Sequence, residues 1–360
     1  MPDVVIIWKQ HIERSLGSMP NKRVTMQDIA DACGLSRNTV SKVFNGRGAV
    51  PPATRALIIR TAEEMGYGVP AEGVSSAVRQ PRGCIALLTC KLPRDAHFGT
   101  FMLSTFTDHI SRAGYAMKIF EISAEEARLK QLPPFFDREQ VTGILCIEIF
   151  DTDYLAMICS LGIPTIVIDG PRHAVSTLMP CDFVSMDNIA AEITVVSRLA
   201  EMGARRIGFV GDREHCCSFY ERWFGFSIGL RDTGLPLDEK LCILAPDGAV
   251  YADTDWLIRQ IGQMPCLPDA FVCANDYLGI HMMNALKKMG LSIPKDIMVT
   301  GFDGTSQSAL VEPPLTTVAI PGSDIGRIAA NLLFYRISHP DLSFMWSRVK
   351  TTPEWRGSTR

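Results

Sequence analysis

The sequence predicts a small all-α head joined to a larger α/β domain built on doubly wound parallel sheets. Residues 24–67 contain three short helical patterns, whereas residues 83–360 alternate strand-like apolar runs with helix-length periodic segments. Such alternation is typical of parallel sheets with helices on both faces. The 360 residues are 47% hydrophobic and 21% charged, a globular composition that is long enough for more than one domain.

Charge is divided unevenly along the chain. Residues 1–82 hold eleven Lys and Arg against seven Asp and Glu, a balance of +4, so the total of −3 leaves −7 for residues 83–360. A basic head on an acidic body suggests that the head meets a polyanion.

The 11 cysteines form no CxxC pair, which favours reduced thiols in a cytoplasmic protein. No apolar stretch approaches the ~20 residues of a membrane span, so we expect no membrane partner.

The first helix of the head is expected to start at Thr25, whose hydroxyl can cap the amides near Asp28. It runs to Cys33 and ends at Gly34, where a left-handed backbone costs least. A tight glycine turn between two short helices is typical of a helix-turn-helix unit.

Two more helices follow. Ser36 can cap a second helix that runs through Asn45, and Pro51-Pro52 opens a third helix over Arg55–Met65. The residues expected to face inward are Ile29, Ala30, Leu35, Val40, Val43, Phe44, Leu57, Ile58, Ala62 and Met65.

The second helix presents a polar outer face. Arg37 can donate two hydrogen bonds to guanine, and Asn38 can bind adenine in the same bidentate way. The first residues of a recognition helix contact base edges, while neighbouring hydroxyls and amides bind phosphates. The alternative is a solvated face with no ligand. The predicted DNA-binding residues of the head are Thr25, Ser36, Arg37, Asn38, Thr39, Ser41, Lys42, Asn45 and Thr54.

After the head, residues 68–82 are rich in Gly, Pro and Ser and are predicted to be a linker. The α/β body occupies residues 83–360. Its predicted strands are Cys84–Thr89, Met117–Glu121, Gly143–Ile147, Thr165–Asp169, Arg206–Gly211, Ala270–Ala274 and Met298–Gly301. Its predicted helices include Met102–Ala113, Ala190–Met202, Arg222–Arg231, Tyr277–Met289 and Asp324–Ile337.

Residues 24–67 resemble the DNA-binding headpiece of the lactose-repressor (LacI/GalR) family of bacterial transcription regulators. The matching stretch is VTMQDIADACGLSRNTVSKVFNG (24–46), followed by the third helix, which ends in Met65-Gly66-Tyr67. The body resembles the same family's two-lobed effector domain, a fold shared with periplasmic sugar-binding proteins. The matching motifs of the body are VSMDN (184–188), GARRIGFVG (203–211), CAND (273–276), IPKDIMVTGFD (293–303) and PPLTTV (313–318). Together the matches cover about residues 20–360 in order.

The resemblance implies further site residues. In the family a hinge leucine wedges into the minor groove, and Val78 is the nearest candidate here, with a simple flexible tether as the alternative. Arg222 matches a ligand-binding arginine, Asn275 matches a ligand-binding asparagine or is a plain helix cap, and Asp276 is expected to be structural. Tyr251 is proposed as a stacking wall. The predicted effector-binding residues are Phe98, Asp169, Arg222, Tyr251, Asn275 and Asp303.

The function that this implies is a homodimeric transcription regulator, in particular a repressor, that binds a near-palindromic DNA operator under control of a sugar-like effector. Two alternatives remain: an enzyme acting on a sugar or nucleoside fused to a DNA-binding head, and a receptor whose head no longer binds DNA. The chain contains no GxxxxGK[ST] or HExxH motif, and its seven histidines show no metal-ligand spacing. We therefore expect no catalysis, metal or cofactor.

Residues 1–23 precede the usual start of the family. Met19 begins a stretch that looks like a normal family start, which makes it a candidate initiator. Otherwise, residues 4–16 are expected to form a short amphipathic helix.

Overall fold

The computed structural model describes residues 24–44, 50–65, 67, 81–91, 98–175, 179–246 and 249–359. The chain divides into two compact units, Met1–Gln80 and Pro81–Arg360. The predictions for residues 1–23, Asn45 and Val78, and for the side chain of Phe98, lie outside what is described.

The described part of the head consists of α1 (Met26–Cys33), α2 (Arg37–Phe44) and α3 (Pro52–Glu64). Thr25 forms the predicted cap: its Oγ1 accepts the Asp28 amide at 3.3 Å, and Asp28 Oδ2 accepts the Thr25 amide at 2.7 Å. Gly34 ends α1 with a φ of +65°. The limits predicted for α1 are therefore confirmed.

The three helices share a small core. Its buried members are Ile29, Ala30, Val40, Val43, Phe44, Ile58 and Ala62. Helix α3 begins at Pro52, within the proline pair expected to open it and three residues before the predicted range Arg55–Met65, because proline fits the first helical position. One prediction for α3 is wrong. Leu57, expected to face inward, is 37% exposed, since the buried stripe runs through Ile58 and Ala62, four residues apart.

The body contains eleven strands and nine α-helices in its described part. In chain order they are β1 (Cys84–Thr89), α4 (Phe98–Arg112), β2 (Ala116–Glu121), α5 (Ala124–Leu129), β3 (Val141–Ile147), α6 (Thr152–Cys159), β4 (Thr165–Ile168), β5 (Asp182–Met186), α7 (Asn188–Glu201), β6 (Ile207–Val210), α8 (Cys217–Asp232), α9 (Thr254–Gly262), β7 (Ala270–Cys273), α10 (Asp276–Lys288), β8 (Met298–Thr300), α11 (Ser306–Leu310), β9 (Thr317–Ala319), α12 (Gly322–Ser338), β10 (Trp346–Val349) and β11 (Thr352–Glu354).

The first lobe is a parallel sheet with the strand order β10-β5-β4-β3-β1-β2. Successive residues of β1 belong to opposite faces of this sheet. Ile85 and Leu87 pack with residues of α4 and α12, such as Phe106, whereas Ala86 and Leu88 pack with α6. Helices therefore cover both faces, which confirms the predicted doubly wound architecture.

The second lobe has a parallel sheet with the order β6-β7-β8, and β9 pairs with β11 in an antiparallel ribbon. Strand β10 returns to the first sheet although the preceding strands lie in the second lobe. The two lobes are thus joined by several crossings of the chain. Each of the seven strands predicted from the sequence is present, whereas β5, β9, β10 and β11 were not predicted.

Candidate functional site

The outer face of α2 is exposed and polar. Arg37, Asn38 and Lys42 are exposed, while Thr39 and Ser41 are half-buried. The opposite face of the helix packs into the core of the head. Because the α2 sequence RNTVSKVF contains no acidic residue, its positive end is not neutralised by the helix's own side chains. This face can therefore approach a polyanion such as DNA.

Hydroxyl groups at the starts of α1 and α2 have roles within the fold. Ser36 Oγ accepts the Thr39 amide at 3.2 Å and lies 2.8 Å from Thr39 Oγ1. Thr25 is exposed, and its hydroxyl donates to Asp28 at 2.6 Å. Thr54 lies half-buried on α3. Helix capping explains Ser36 and Thr25 without DNA, whereas no such fold role follows from the exposure of Arg37 and Asn38.

In the body, three acidic residues follow the carboxyl ends of strands in a strained backbone conformation. Glu148 follows β3 with a φ of +55°, Asp169 follows β4 with +48°, and Asp303 lies three residues after β8 with +114°. Positive φ angles are rare for residues other than glycine, and such strain concentrates at functional sites. Ligands of open parallel sheets bind beside these strand ends.

Arg222 is the buried cation of this region. Its Nε donates to Asn188 Oδ1 at 3.0 Å, and one terminal nitrogen donates to the Ala274 carbonyl. The same nitrogen lies 3.4 Å from Asp303 Oδ1. The guanidinium carbon is 3.7 Å from the centroid of the Phe302 ring, a cation–π geometry. Arg222 therefore links α7, α8 and the ends of β7 and β8.

The acidic groups of the two lobes influence one another. Burial raises the pKa of Asp303 to about 7, against the opposing effect of Arg222. Burial also raises the pKa of Glu148 to about 7, and the charge of Asp169 adds to this. Glu148 in turn contributes to the raised pKa of Asp303. Charged groups at the strand ends of the two lobes thus raise one another's pKa values.

The start of α8 contacts the first lobe. Asp169 accepts the Ser218 amide at 3.1 Å and the Ser218 hydroxyl at 2.6 Å, and the Gly170 carbonyl accepts the Cys217 amide at 2.9 Å. Arg172 of the first lobe forms an ion pair of 2.6 Å with Glu214. The carboxylate of Asp169, predicted to bind effector, is therefore engaged in a lobe-to-lobe contact in this conformation.

Comparison with known proteins agrees with this architecture. Residues 25–69 match the family model "Bacterial regulatory proteins, lacI family", and residues 196–359 match the periplasmic binding protein-like domain. The HTH-type transcriptional regulator CelR of Thermobifida fusca is 27% identical over 88% of this chain and 93% of its own length. A transcriptional repressor PurR of Haemophilus influenzae is 24% identical over 92% of this chain and 96% of its own.

A solved structure described as a transcriptional regulator CelR–cellobiose complex superposes with a TM-score of 0.67 at 25% identity, covering 93% of this chain and all of that one. The chain combines a LacI-family helix-turn-helix domain with a periplasmic binding protein-like domain. None of its described helices has both the length and the apolar character needed to span a membrane. Those residues also contain no group of three or more His, Cys, Asp or Glu arranged to hold a metal ion.

Two of the predicted effector residues have contacts that belong to the fold. Asn275 Oδ1 accepts the Leu278 amide at 2.9 Å, so this half-buried residue is the N-cap of α10, as its alternative interpretation stated. Tyr251 is 1% exposed, and its hydroxyl donates to the Ala245 carbonyl at 2.7 Å. A ring buried to this extent offers no stacking surface in the observed conformation.

The expected structural role of Asp276 is confirmed. Its carboxylate accepts the Thr305 amide at 2.7 Å and the Thr305 hydroxyl at 2.9 Å, and it also accepts the Thr317 hydroxyl. Asp276 therefore fixes the loop that carries Asp303.

Four polar residues around Arg222 and Asp169 were not predicted from the sequence. Asn188 and Glu192 are buried on α7, Ser218 is buried at the start of α8, and Glu148 follows β3. The only signal for Asn188 was its place in the VSMDN motif at a strand end. Glu192 lies in an otherwise apolar helical stripe with Val195, Val196 and Leu199, which gives no indication of its surroundings.

Proposed function

We propose that this LacI-family regulator reads an approximately palindromic operator with the outer face of α2, as a homodimer, and that a carbohydrate-like effector binding at the Arg222 site controls operator affinity. The observation that supports this most strongly is the joint presence of an exposed basic recognition face and a buried polar site at the strand ends of a two-lobed body. In this proposal Arg37 and Asn38 contact base edges.

The relatives guide the effector class. One relative is described in complex with cellobiose, and others are named transcriptional repressor PurR. A site that combines carboxylates with one guanidinium suits the hydroxyl groups of a sugar, since carboxylates accept and guanidinium donates hydrogen bonds. Effector binding would couple to operator binding with about 1–3 kcal/mol. Chemistry on the ligand is not part of the proposal, because the relatives are named regulators.

A thermal-shift screen of neutral sugars, sugar phosphates and purines against the full chain tests the effector assignment. A ligand at ~100 times its Kd stabilises by about 2.7 kcal/mol. The variant Arg222→Lys keeps the positive charge but loses the planar guanidinium group, so the ligand should raise its unfolding midpoint by less than that of wild type. Arg231→Lys, at an exposed position on the same helix, is the matched control. An equal rise of the unfolding midpoint in both variants contradicts the effector assignment. The absence of a stabilising compound in all three classes also contradicts it.

The proposed homodimer has support in exposed apolar residues of the first lobe. Phe101 on α4 is 63% exposed, and Ile119 is 48% exposed on β2, the last strand of the sheet order. An uncovered edge strand with apolar side chains is a surface for association. In sedimentation experiments, the wild type should be a dimer and the double variant Phe101→Glu/Ile119→Lys should be a monomer. The control Phe135→Ser changes a loop residue that is 94% exposed and should leave the dimer intact. A monomeric wild type contradicts the proposed homodimer.

Sites selected from a random duplex library test the operator assignment. Two-fold symmetry predicts an enriched inverted repeat with half-sites in adjacent major grooves. Substitution of Val78 in the linker by Gly then tests the proposed wedge, because loss of a wedge weakens binding without changing the preferred half-site sequence. Enrichment of a single, non-repeated motif contradicts the symmetric assignment.

A further inference from the structure

Helices α7 and α8 approach each other at backbone contact beside Arg222. A Cβ placed at Gly225 would lie 2.6 Å from the Ile189 carbonyl oxygen and 2.9 Å from the Glu192 Cβ, so only glycine permits this approach. Gly225 lies nearly one turn after Arg222 on α8. Glu192 lies one turn after Asn188, the residue that accepts Arg222 Nε. The packing therefore places the Glu192 Cβ against α8 at Gly225, three residues after Arg222.

Glu192 is 1% exposed, and neither of its carboxyl oxygens has a hydrogen-bond partner among the described residues. The groups whose charges interact with it are Arg222 on α8 and the Cys273 thiol at the end of β7. Burial raises the pKa of Glu192 to about 8, and the positive charge of Arg222 acts in the opposite direction. A buried carboxyl group without a partner is costly, and its persistence requires an explanation.

Arg222 itself is held loosely by its carboxylate partner. The nitrogen-to-oxygen distance to Asp303 is 3.4 Å, whereas charged pairs of this type bond at about 2.7–2.9 Å. The guanidinium thus contacts Asp303 without a short bond, and its charge also acts on the buried carboxyl group of Glu192. Sugar hydroxyls that bind Asp303 would compete directly for its oxygens.

We propose that Asp303 and Glu192 are alternative partners of Arg222: the guanidinium pairs with Asp303 in the empty site and turns to Glu192 when an effector hydroxyl occupies Asp303. The inference rests on the proposed effector site. Glu192 is then a positioning residue that acts through Arg222.

The position of α7 couples this exchange of partners to the junction between the two lobes. Helix α7 begins where the chain leaves β5 of the first lobe. The Asp187 amide donates to the Val349 carbonyl at 2.8 Å, and the Thr351 hydroxyl donates to the Asp187 carbonyl at 2.9 Å. Two of the chain crossings between the lobes therefore meet at the first turn of α7. A new Arg222–Glu192 bond would pull on α7 one turn beyond that junction.

A double-mutant cycle in the full chain tests the exchange without effector or DNA. The midpoint of thermal unfolding is measured at pH 8.5 for wild type, Glu192→Gln, Asp303→Asn and the double variant. In wild type, Glu192→Gln removes an unpaired acid and should raise the midpoint by about 2–4 °C. In Asp303→Asn, Glu192 is the remaining carboxylate for Arg222, so the same substitution should lower the midpoint by a similar amount.

Reversal of sign between the two backgrounds is the expected result, and an equal effect in both overturns the proposal. Glu201→Gln, on the exposed face of α7, should have no effect in either background. Asp303→Ser provides a second background. Because Glu192 can replace Asp303 as the partner, at least one of the two Asp303 variants must fold, and failure of both also overturns the exchange. The outcome leaves the effector screen of wild type unaffected, so the two proposals fail separately.

Discussion

The head and the second lobe place their polar groups in opposite ways. On α2 the charged side chains Arg37 and Lys42 are exposed, and the core beneath them is apolar. In the second lobe Arg222, Glu192 and Asp303 are buried together between helices and strand ends. Exposed groups can be changed with little effect on folding, whereas buried groups contribute to both binding and stability. Substitutions on the exposed face of α2 should therefore change binding with little loss of stability, whereas substitutions around Arg222 should change both binding and stability.

The largest effect on stability is expected at Arg222. Replacing it with Met leaves Asp303 and Glu192 buried without a cation and should lower the free energy of unfolding by about 3–5 kcal/mol. Denaturant unfolding of the full chain measures this. Arg231→Met on the exposed side of α8 should stay within about 0.5 kcal/mol of wild type. Equal losses of unfolding free energy in the two variants would contradict the expected difference between buried and exposed groups.

Two glycines of the second lobe provide the next comparison. Gly225→Ala should cost about 1–3 kcal/mol, because the added methyl meets the backbone of α7. Gly262→Ala, at the end of α9, meets nothing within 4 Å and should stabilise by about 0.4–1 kcal/mol. Chemical denaturation of both variants measures whether each substitution raises or lowers the free energy of unfolding. A stable Gly225→Ala would mean that α7 and α8 can separate at little cost.

A smaller effect is expected for the cap of α1 in the head. Thr25→Ala removes the hydroxyl that accepts the Asp28 amide, at a cost of about 1 kcal/mol. Amide hydrogen exchange in α1 of the full chain should accelerate about fivefold. The exposed Gln27→Ala, one residue into the same helix, is the comparison variant. Unchanged exchange in Thr25→Ala would contradict the role of the cap.

The sequence predicted the head in most detail, because its signals are local. The cap at Thr25, the glycine at position 34 and the spacing of the core residues depend on neighbours within a few residues. The parallel strands of the body were also recognisable as apolar runs. Strand β5 was not, because it begins with Asp182, a buried charge that pairs with the distant Arg336 at 2.8 Å. Strand β10 contains Arg348, which pairs with Glu221.

The effector site was predicted only in part, for the same physical reason. Arg222 and Asp303 were expected from the family resemblance, but the contacts of Arg222 with Asn188, Ala274 and Asp303 depend on elements far apart in sequence. The sequence also did not indicate that Tyr251 is buried. Long-range packing determines which polar residues in a helix are buried, and the helical period alone does not show it.

The proposed function depends on the reading of DNA bases by the outer face of α2. Selection of duplex sites by wild type, Arg37→Ala and the matched Arg60→Ala on α3 shows whether this face reads bases. All three proteins should unfold within about 0.5 kcal/mol of one another, since both arginines are exposed. Arg37→Ala should lose about 1–3 kcal/mol of preference at one base position per half-site, while Arg60→Ala keeps the wild-type motif. An unchanged motif in Arg37→Ala would contradict the claim.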